Sequence, residues 1–307
     1  MCPGFESLIR HHPFPGRGIK TADLPAVETE TVPACPVCSA PDSVLEAAQI
    51  ALRRCVACNV YFNSPRPTTA FIDRNYNDSG HYLKFTPDAK WESLWHRRLD
   101  RVLSFSPKGR ILDVSAGVGT TVKLLSDRGY EAIGSEISKE AVVRAKALYG
   151  INLMQGFAEQ LPLEANSLGC VMMWHVFEHL PFPGATLAHL AGKMRAGGLL
   201  VLAVPNNSMA RIARYPKLWF APRAAKLEKV VGRIDYGKGF QEIHLIHFTP
   251  SSLRGTVERA GFRVLHLGLD NTLSPWRDAK LPLRNFAARW LGFNDGPAMM
   301  LVAEKTA

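Results

Sequence analysis

The pattern of apolar and polar positions is clearest between Arg110 and Ser138, in RILDVSAGVGTTVKLLSDRGYEAIGSEIS. ILDV is a short apolar run of β-formers and predicts a buried strand. SAGVGT follows at once as a tight turn of small residues. TTVKLLSDRG predicts an amphipathic helix that ends at a glycine, and YEAIGSEIS predicts a second strand with Glu136 at its end. Downstream the two periods keep alternating. KEAVVRAKALYG predicts a helix, INLMQG a third strand, and CVMMW a fourth with Cys170 inside it as a small apolar residue. PGATLAHLAGKMRAGG predicts a helix with a glycine stop and LLVLAVPN a fifth strand. SSLRGTVERAGF predicts a helix with a serine cap, FRVLHLGLD a sixth strand and AMMLVAEK a last one. Upstream, WESLWHRRLDRVLSF predicts a helix leading into the first strand. Strands alternating with helices predict an α/β fold.

The first strand–turn–helix–strand unit has the chemistry of a cofactor site. Gly117 and Gly119 remove side chains where a backbone must touch a ligand, and the following helix points free N–H groups at it. Glu136 lies where a carboxylate accepts both hydroxyls of a ribose. Two features turn away from a dinucleotide. Val122 stands where the dinucleotide fingerprint has its third glycine or alanine. Asp113 puts a carboxylate just ahead of the turn, where a pyrophosphate is repelled and a ligand's ammonium group is welcome. The competing reading is an ordinary strand–helix turn of an α/β protein.

Composition adds a partner class and a metal. With 307 residues and 47% hydrophobic content, the chain has enough apolar material for one large domain and a small one. No run reaches the length of a membrane span, and MCPGFESLIRHHPFPGRG carries no apolar signal core, so the expected location is cytoplasmic. A net charge of +10 favours an anionic partner: a phosphate, a nucleic acid or an acidic membrane surface. Four of the six cysteines form CPVC at Cys35 and Cys38 and CVAC at Cys55 and Cys58. In a cytosolic chain two such knuckles point to one tetrahedral structural zinc, with a redox thiol pair as the alternative. Residues 1–33 are then a flexible arm in which Cys2, His11 and His12 are incidental. Residues 34–62 are a zinc ribbon, 63–100 a connector and helical lead-in, and 101–307 the cofactor-binding domain.

LDVSAGVGT followed by GSEIS resembles the first two motifs of the class I S-adenosylmethionine (SAM) methyltransferases. The usual form is closer to LDVGCGxG, so Ser115 and Ala116 depart from it. The cysteine knuckles, NSPRPT at 63–68 and Tyr82 resemble the N-terminal part of a bacterial subgroup of that family with a zinc ribbon. VPNNS and IHFTPSSLRGTVERAGF are similar to the same pattern. The resemblance implies a Rossmann-like, doubly wound sheet of seven strands with the last one inserted antiparallel. It implies SAM held by Asp113, Ser115, Gly117, Gly119, Glu136 and Ile137. Phe157 replaces the acid that often contacts the adenine amine, leaving Ala158 and Glu159 as candidates. Trp174 closes the fourth strand, near which the reactive sulfur is expected, because open α/β sheets bind ligands at carboxyl strand ends.

HVFEH then falls at the chemistry. At the start of a helix, His175, Glu178 and His179 share one face. His175 can be a general base, the trio can gather a divalent cation that polarises a substrate oxygen, or Glu178 and His179 can simply cap the helix. The cluster is similar to the ExxEH motif of metal-dependent quinone and RNA-end methyltransferases, which draw a further histidine from downstream; EIHLIHF offers His244 or His247. Two insertions, near 208–240 and 272–296, are basic and aromatic. Arg211, Arg214, Lys217, Arg223, Lys226 and Lys229 accompany Tyr215, Trp219 and Phe220 in the first; Trp276, Phe286, Trp290 and Phe293 mark the second. They read as a substrate lid that buries its aromatics on the domain, with membrane docking as the alternative. The resulting expectation is a SAM-dependent methyltransferase of a small or lipid-linked anionic acceptor, of glycan, polyprenyl or secondary-metabolite type, placed in the cytoplasm or at the inner membrane face. An RNA methyltransferase, marked by salt-sensitive binding, and a non-catalytic scaffold, marked by failure to bind SAM, are the rivals. The sequence carries no expectation of oligomeric state.

Overall fold

The structure is a computed structural model. It describes residues 28–77, 86–234, 243–272, 274–291 and 296–306, without the side chains of 287–291. The arm up to residue 27, Tyr82, Phe293 and the Trp290 side chain lie outside the described residues.

The chain begins with β1 (Thr29–Glu30), β2 (Ser43–Ala47), β3 (Leu52–Cys55), β4 (Tyr61–Asn63) and β5 (Arg66–Pro67). Helices α1 (Thr69–Asn77) and α2 (Ala89–Leu103) follow. Asp88 starts α2 by accepting the Trp91 N–H at 2.8 Å, satisfying one of the helix's orphan donors. The alternating part runs β6 (Arg110–Val114), α3 (Thr120–Asp127), β7 (Ala132–Glu136), α4 (Lys139–Tyr149), β8 (Met154–Gln155), β9 (Leu168–Trp174), α5 (Pro183–Lys193) and β10 (Met194–Pro205). The first insertion forms short 3-10 turns and α6 (Arg223–Val231). Then come β11 (Ile246–His247), α7 (Pro250–Arg259), β12 (Phe262–Leu269), α8 (Pro275–Asp278), α9 (Leu281–Leu291) and β13 (Ala298–Lys305).

Seven strands form one sheet in the order β12-β13-β10-β9-β6-β7-β8. β13 runs antiparallel to both β10 and β12, while the other neighbours pair in parallel. This is the expected Rossmann-like sheet with its last strand inserted antiparallel. The fully buried Leu168–Trp174 explains the order: a strand apolar on every residue belongs at the sheet centre, covered on both faces. One face packs on α5 and α7 and on the ribbon. The other packs on α2 and α3 through Trp95, Leu99, Val102 and Leu125.

The ribbon hairpin β2–β3 continues into β4, and the sheet order is β11-β4-β3-β2. Its edge strand therefore comes from residues 246–247, almost two hundred residues downstream in sequence. Asn63 donates its N–H to Leu245 O at 3.1 Å. Arg66 Nη1 donates to Pro181 O at 2.7 Å. A Cβ on Gly184 would sit 2.0 Å from Val37 O, so the first knuckle rests directly on the start of α5.

Three expectations are corrected. HVFEH does not begin a helix: it is a turn, and α5 starts later, at Pro183. His175 is left-handed at φ 56, which ends the strand abruptly instead of feeding a helix. The α7 cap is Thr249, which forms a capping box with Ser252. Third, the insertions do not bury their aromatics throughout. Phe220 is 98% exposed, Trp276 85% and Trp219 53%.

Candidate functional site

The loop between β6 and α3 turns through three left-handed residues, Ser115 (φ 56), Gly117 (φ 56) and Gly119 (φ 78). Ser115 takes that conformation at a cost of about 1 kcal/mol relative to glycine. Its neighbour Ala116 holds the turn by donating its N–H to Ser135 O at 2.8 Å. Glu136, at the end of β7, is 3% exposed. One carboxylate oxygen accepts the Gly117 N–H at 2.9 Å and the other the Ser138 N–H at 2.9 Å. The carboxylate is thereby fixed between the turn and α4, with further lone pairs left on each oxygen. Asp113 accepts a hydrogen bond from the Thr121 hydroxyl. Burial pushes Asp113 up to about 7, against Thr121 and with help from Glu136. Burial also raises Glu136, against its backbone donors. Among the described residues neither carboxylate has a cationic partner, so a ligand bringing positive charge relieves both.

A cavity of about 340 Å³ opens beside this unit. Its walls are Ile137, Lys139, Gln155, Gly156, Phe157 and Gln160, closed by Asp73, Arg74 and Asn77 of α1. Of the expected cofactor residues only Ile137 lines it: Asp113, Ser115, Gly117, Gly119, Glu136 and Trp174 are outside the lining, Ala158 is buried in the core, and Glu159 accepts a hydrogen bond from Thr186 of α5. The α1 residues went unnoticed in the sequence, since no periodicity says what a connector helix will cover.

At the end of β9, Trp174 stacks edge-on against Trp95 at 5.4 Å, and the Arg98 guanidinium lies 5.1 Å over its ring. Arg98 pairs with Asp270, and both are buried. His175 Nε2 stands 3.1 Å from Arg98 and 3.4 Å from Asp270, and its Nδ1 3.6 Å from Glu178. Burial opposes the charge on His175, but Asp270 and Glu178 outweigh it and hold the ring at about 9. Against burial, Arg98 and His175 keep Asp270 down at about 2. Arg98 and Asp270 together fix the ring at the end of β9. Both missed partners had a signal. Arg98 is a charge on the apolar stripe of α2, between Trp95 and Val102, and Asp270 is a carboxylate just past a strand end.

Glu178, His179 and His244 converge, with ligand atoms within 4.8 Å of one another. Glu178 is 1% exposed and neither carboxylate oxygen has a hydrogen-bond partner. His179 Nδ1 lies 2.9 Å from Ile243 O, which fixes Nδ1 as the donor and leaves Nε2 as the lone-pair nitrogen. Burial lowers His179, and burial with neighbouring imidazoles lowers His244 well below the usual range, which favours the lone pairs a metal needs. An orphaned carboxylate facing two imidazoles is a donor set that fits a divalent cation. His247 is not part of it; its Nε2 lies 2.7 Å from Asn63 Oδ1. His244 is held because Leu245 and Ile246 both donate N–H groups to Glu178 O, at 2.9 and 3.0 Å.

In the ribbon, Cys35, Cys38, Cys55 and Cys58 form a second cluster, again within 4.8 Å. The Cys35–Cys58 and Cys38–Cys55 sulfurs are each 3.6 Å apart. That is far beyond a disulfide, and close to the roughly 3.8 Å that four thiolates at about 2.3 Å from one zinc would show. The donor set fits a closed structural site.

Residues 83–267 match the family described as "Methyltransferase domain". A demethylmenaquinone methyltransferase of Corynebacterium urealyticum is 25% identical over 142 residues, covering 45% of this chain and 60% of that protein. A tRNA U34 carboxymethyltransferase of Methylococcus capsulatus is 28% identical over 182 residues, covering 54% of this chain and 55% of that protein. The chain thus spans less than two thirds of these relatives. A chain from the solved complex of the Haloferax volcanii Trm112 methyltransferase activator is similar in fold. Its TM-score is 0.51 at 17% identity, over 76% of this chain and 98% of that one.

Proposed function

This chain belongs to the methyltransferase-domain family, and on that premise we propose that it transfers a methyl group from SAM to a small or lipid-linked anionic acceptor. One observation carries the cofactor. Glu136 is anchored by two backbone N–H groups, with lone pairs left for two ribose hydroxyls, and its neighbour Ile137 lines the cavity. Asp113, without a cationic partner, suits the ammonium end. Ile137 and Phe157 supply apolar walls for a purine. When bound, SAM would supply an electrophilic sulfonium methyl, which the acceptor attacks in line as the C–S bond breaks and S-adenosylhomocysteine leaves. The chain's contribution is to hold that carbon and the nucleophile in line, which supplies much of the acceleration. Glu178, His179 and His244 would hold a divalent cation, whose chemistry is to polarise an acceptor oxygen. Asp270 and Arg98 fix His175 behind this group, orienting the turn.

Glu136→Ala is expected to weaken SAM binding by about 1–3 kcal/mol, from the loss of charged hydrogen bonds. Calorimetric titration checks it, and an unchanged dissociation constant would take the ribose away from Glu136.

The names of the relatives divide the acceptor between a demethylmenaquinone and a tRNA. A labelling experiment decides. Purified protein and methyl-labelled SAM are mixed with extract from cells lacking the gene, then partitioned between organic and aqueous phases. Label in the organic phase supports the lipid-linked acceptor, and nuclease-resistant aqueous label a small soluble one. Nuclease-sensitive label would replace both with RNA. No label, with SAM binding intact, would overturn the enzymatic reading.

A further inference from the structure

The two insertions leave the sheet at the same end. β10 finishes at Pro205, opposite Ala298, and β12 finishes at Leu269, opposite Met299. Only β13 lies between them, so the two exits are about 10 Å apart at the usual strand spacing. This is also the end at which β9 delivers His175 and Glu178. What the insertions present there is unusual for a lid. Phe220 is 98% exposed, Trp276 85%, Leu283 72% and Trp219 53%. Large apolar side chains that a lid would normally tuck against the domain face solvent in both insertions.

Their charge is one-sided. Glu228 is the sole acid between 209 and 234, and Asp278 the sole acid between 274 and 291. Glu228 offsets Arg233 and Glu46 of the ribbon pairs with Arg223, while Asp278 is buried against Arg97, so the other exposed cations of the two insertions carry the excess. Exposed Lys217 flanks Trp219 and Phe220, and exposed Arg277 and Lys280 flank Trp276. No helix among the described residues is long and apolar enough to cross a membrane.

We propose that these two insertions form a docking surface for an anionic phospholipid bilayer, with Phe220 and Trp276 entering the interface and the neighbouring lysines and arginines meeting lipid phosphates. Aromatic side chains beside basic ones are what an interfacial element needs: apolar area to bury and cations for an anionic leaflet. A protein or a single strand of nucleic acid could also cover such rings, and the vesicle experiment separates them from a bilayer. A bilayer matches both the rings and the charge. The surface stands apart from the identity of the methyl acceptor, so its failure would leave the transfer reaction untouched.

The test is co-sedimentation of the full chain with vesicles of phosphatidylcholine alone and of phosphatidylcholine with phosphatidylglycerol. Pelleting is expected with the anionic vesicles only, and it should fall as salt screens the charges. Phe220→Ser and Trp276→Ser, at exposed positions that leave the core alone, should each reduce the partition about tenfold. SAM titration of each variant should match the parent and show that it is folded. Equal binding to neutral vesicles, no binding to either, or unchanged partition in both variants would overturn the proposal. So would a shift from dimer to monomer in both variants without lipid, because the surface would then belong to a second copy of the chain.

Discussion

Cys55→Ser is expected to empty the ribbon of zinc and to lower methyl transfer by about a hundredfold or more, while leaving SAM binding within a few-fold. Cys55 is fully buried at the end of β3. Structural zinc sites of this kind bind with about 10–16 kcal/mol of apparent free energy in small peptides, and that energy is folding energy. A ribbon of this size has little core with which to replace it. β3 pairs with β4, and β4 with β11. The residues just before β11 are Leu245 and His244; Leu245 O receives Asn63 N–H, and Leu245 N–H goes to Glu178 O. Melting the ribbon therefore releases His244 and unties the turn that carries Glu178 and His179. Arg66 on Pro181 O and the contact of Val37 with Gly184 tie the other side of that turn to the same ribbon. The Gly117–Glu136 cradle shares no strand with the ribbon sheet; α1 alone among the cavity walls packs in one core with the ribbon cysteines, through Ile72, which sets the few-fold loss allowed in the SAM titration. Zinc content, SAM titration and transfer rate on the same preparation check it. Transfer retained in a zinc-free protein would mean that the ribbon does not position His244.

The seven strands of the main sheet and the helices between them were legible because most keep one period over their length; β8, only Met154–Gln155, was marked by the apolar run INLM instead. β9 is apolar at every position, and α2 carries an apolar stripe broken by one charge. The cysteines were legible because two Cys-x-x-Cys knuckles have few other uses. The turn at 175–179 was not. Spacing alone puts His175, Glu178 and His179 on one helical face, whereas contacts with Asp270 and Arg98, far away in sequence, hold His175 left-handed. Nor could the sequence show that Ile246–His247 joins the ribbon sheet. Two residues have no detectable period, and the pairing is a matter of tertiary contact with Phe62 and Tyr61. The preference for a buried lid failed for a related reason. Aromatic content says how much apolar surface an insertion has, not whether the domain offers anything to cover it.

Glu178→Met is expected to abolish divalent-cation binding outside the ribbon and to reduce transfer about a hundredfold, while raising the stability of the cation-free protein by roughly 1–3 kcal/mol. The opposite signs are what identify the role. A buried carboxylate without a hydrogen-bond donor costs desolvation that an imidazole at 3.6 Å returns only in part. Glu178 has no donor to either oxygen, with His175 Nδ1 at 3.6 Å and His179 Nε2 at 4.0 Å as its nearest nitrogens. Methionine has similar length and no such cost, so a merely structural Glu178 ought to be dispensable or replaceable at a gain. A cation on Glu178, His179 and His244 would reverse that balance in the loaded protein. Manganese is the suitable probe, because carboxylate and imidazole accept it while the thiolates of the ribbon prefer a softer ion. Manganese titration by paramagnetic resonance and thermal unfolding with chelator present measure the two sides separately. A variant that binds manganese as tightly as the parent would remove the cation from this cluster. A variant that unfolds earlier would show that His175 and His179 together already stabilise the carboxylate, and Glu178 would then be a structural anchor of the turn.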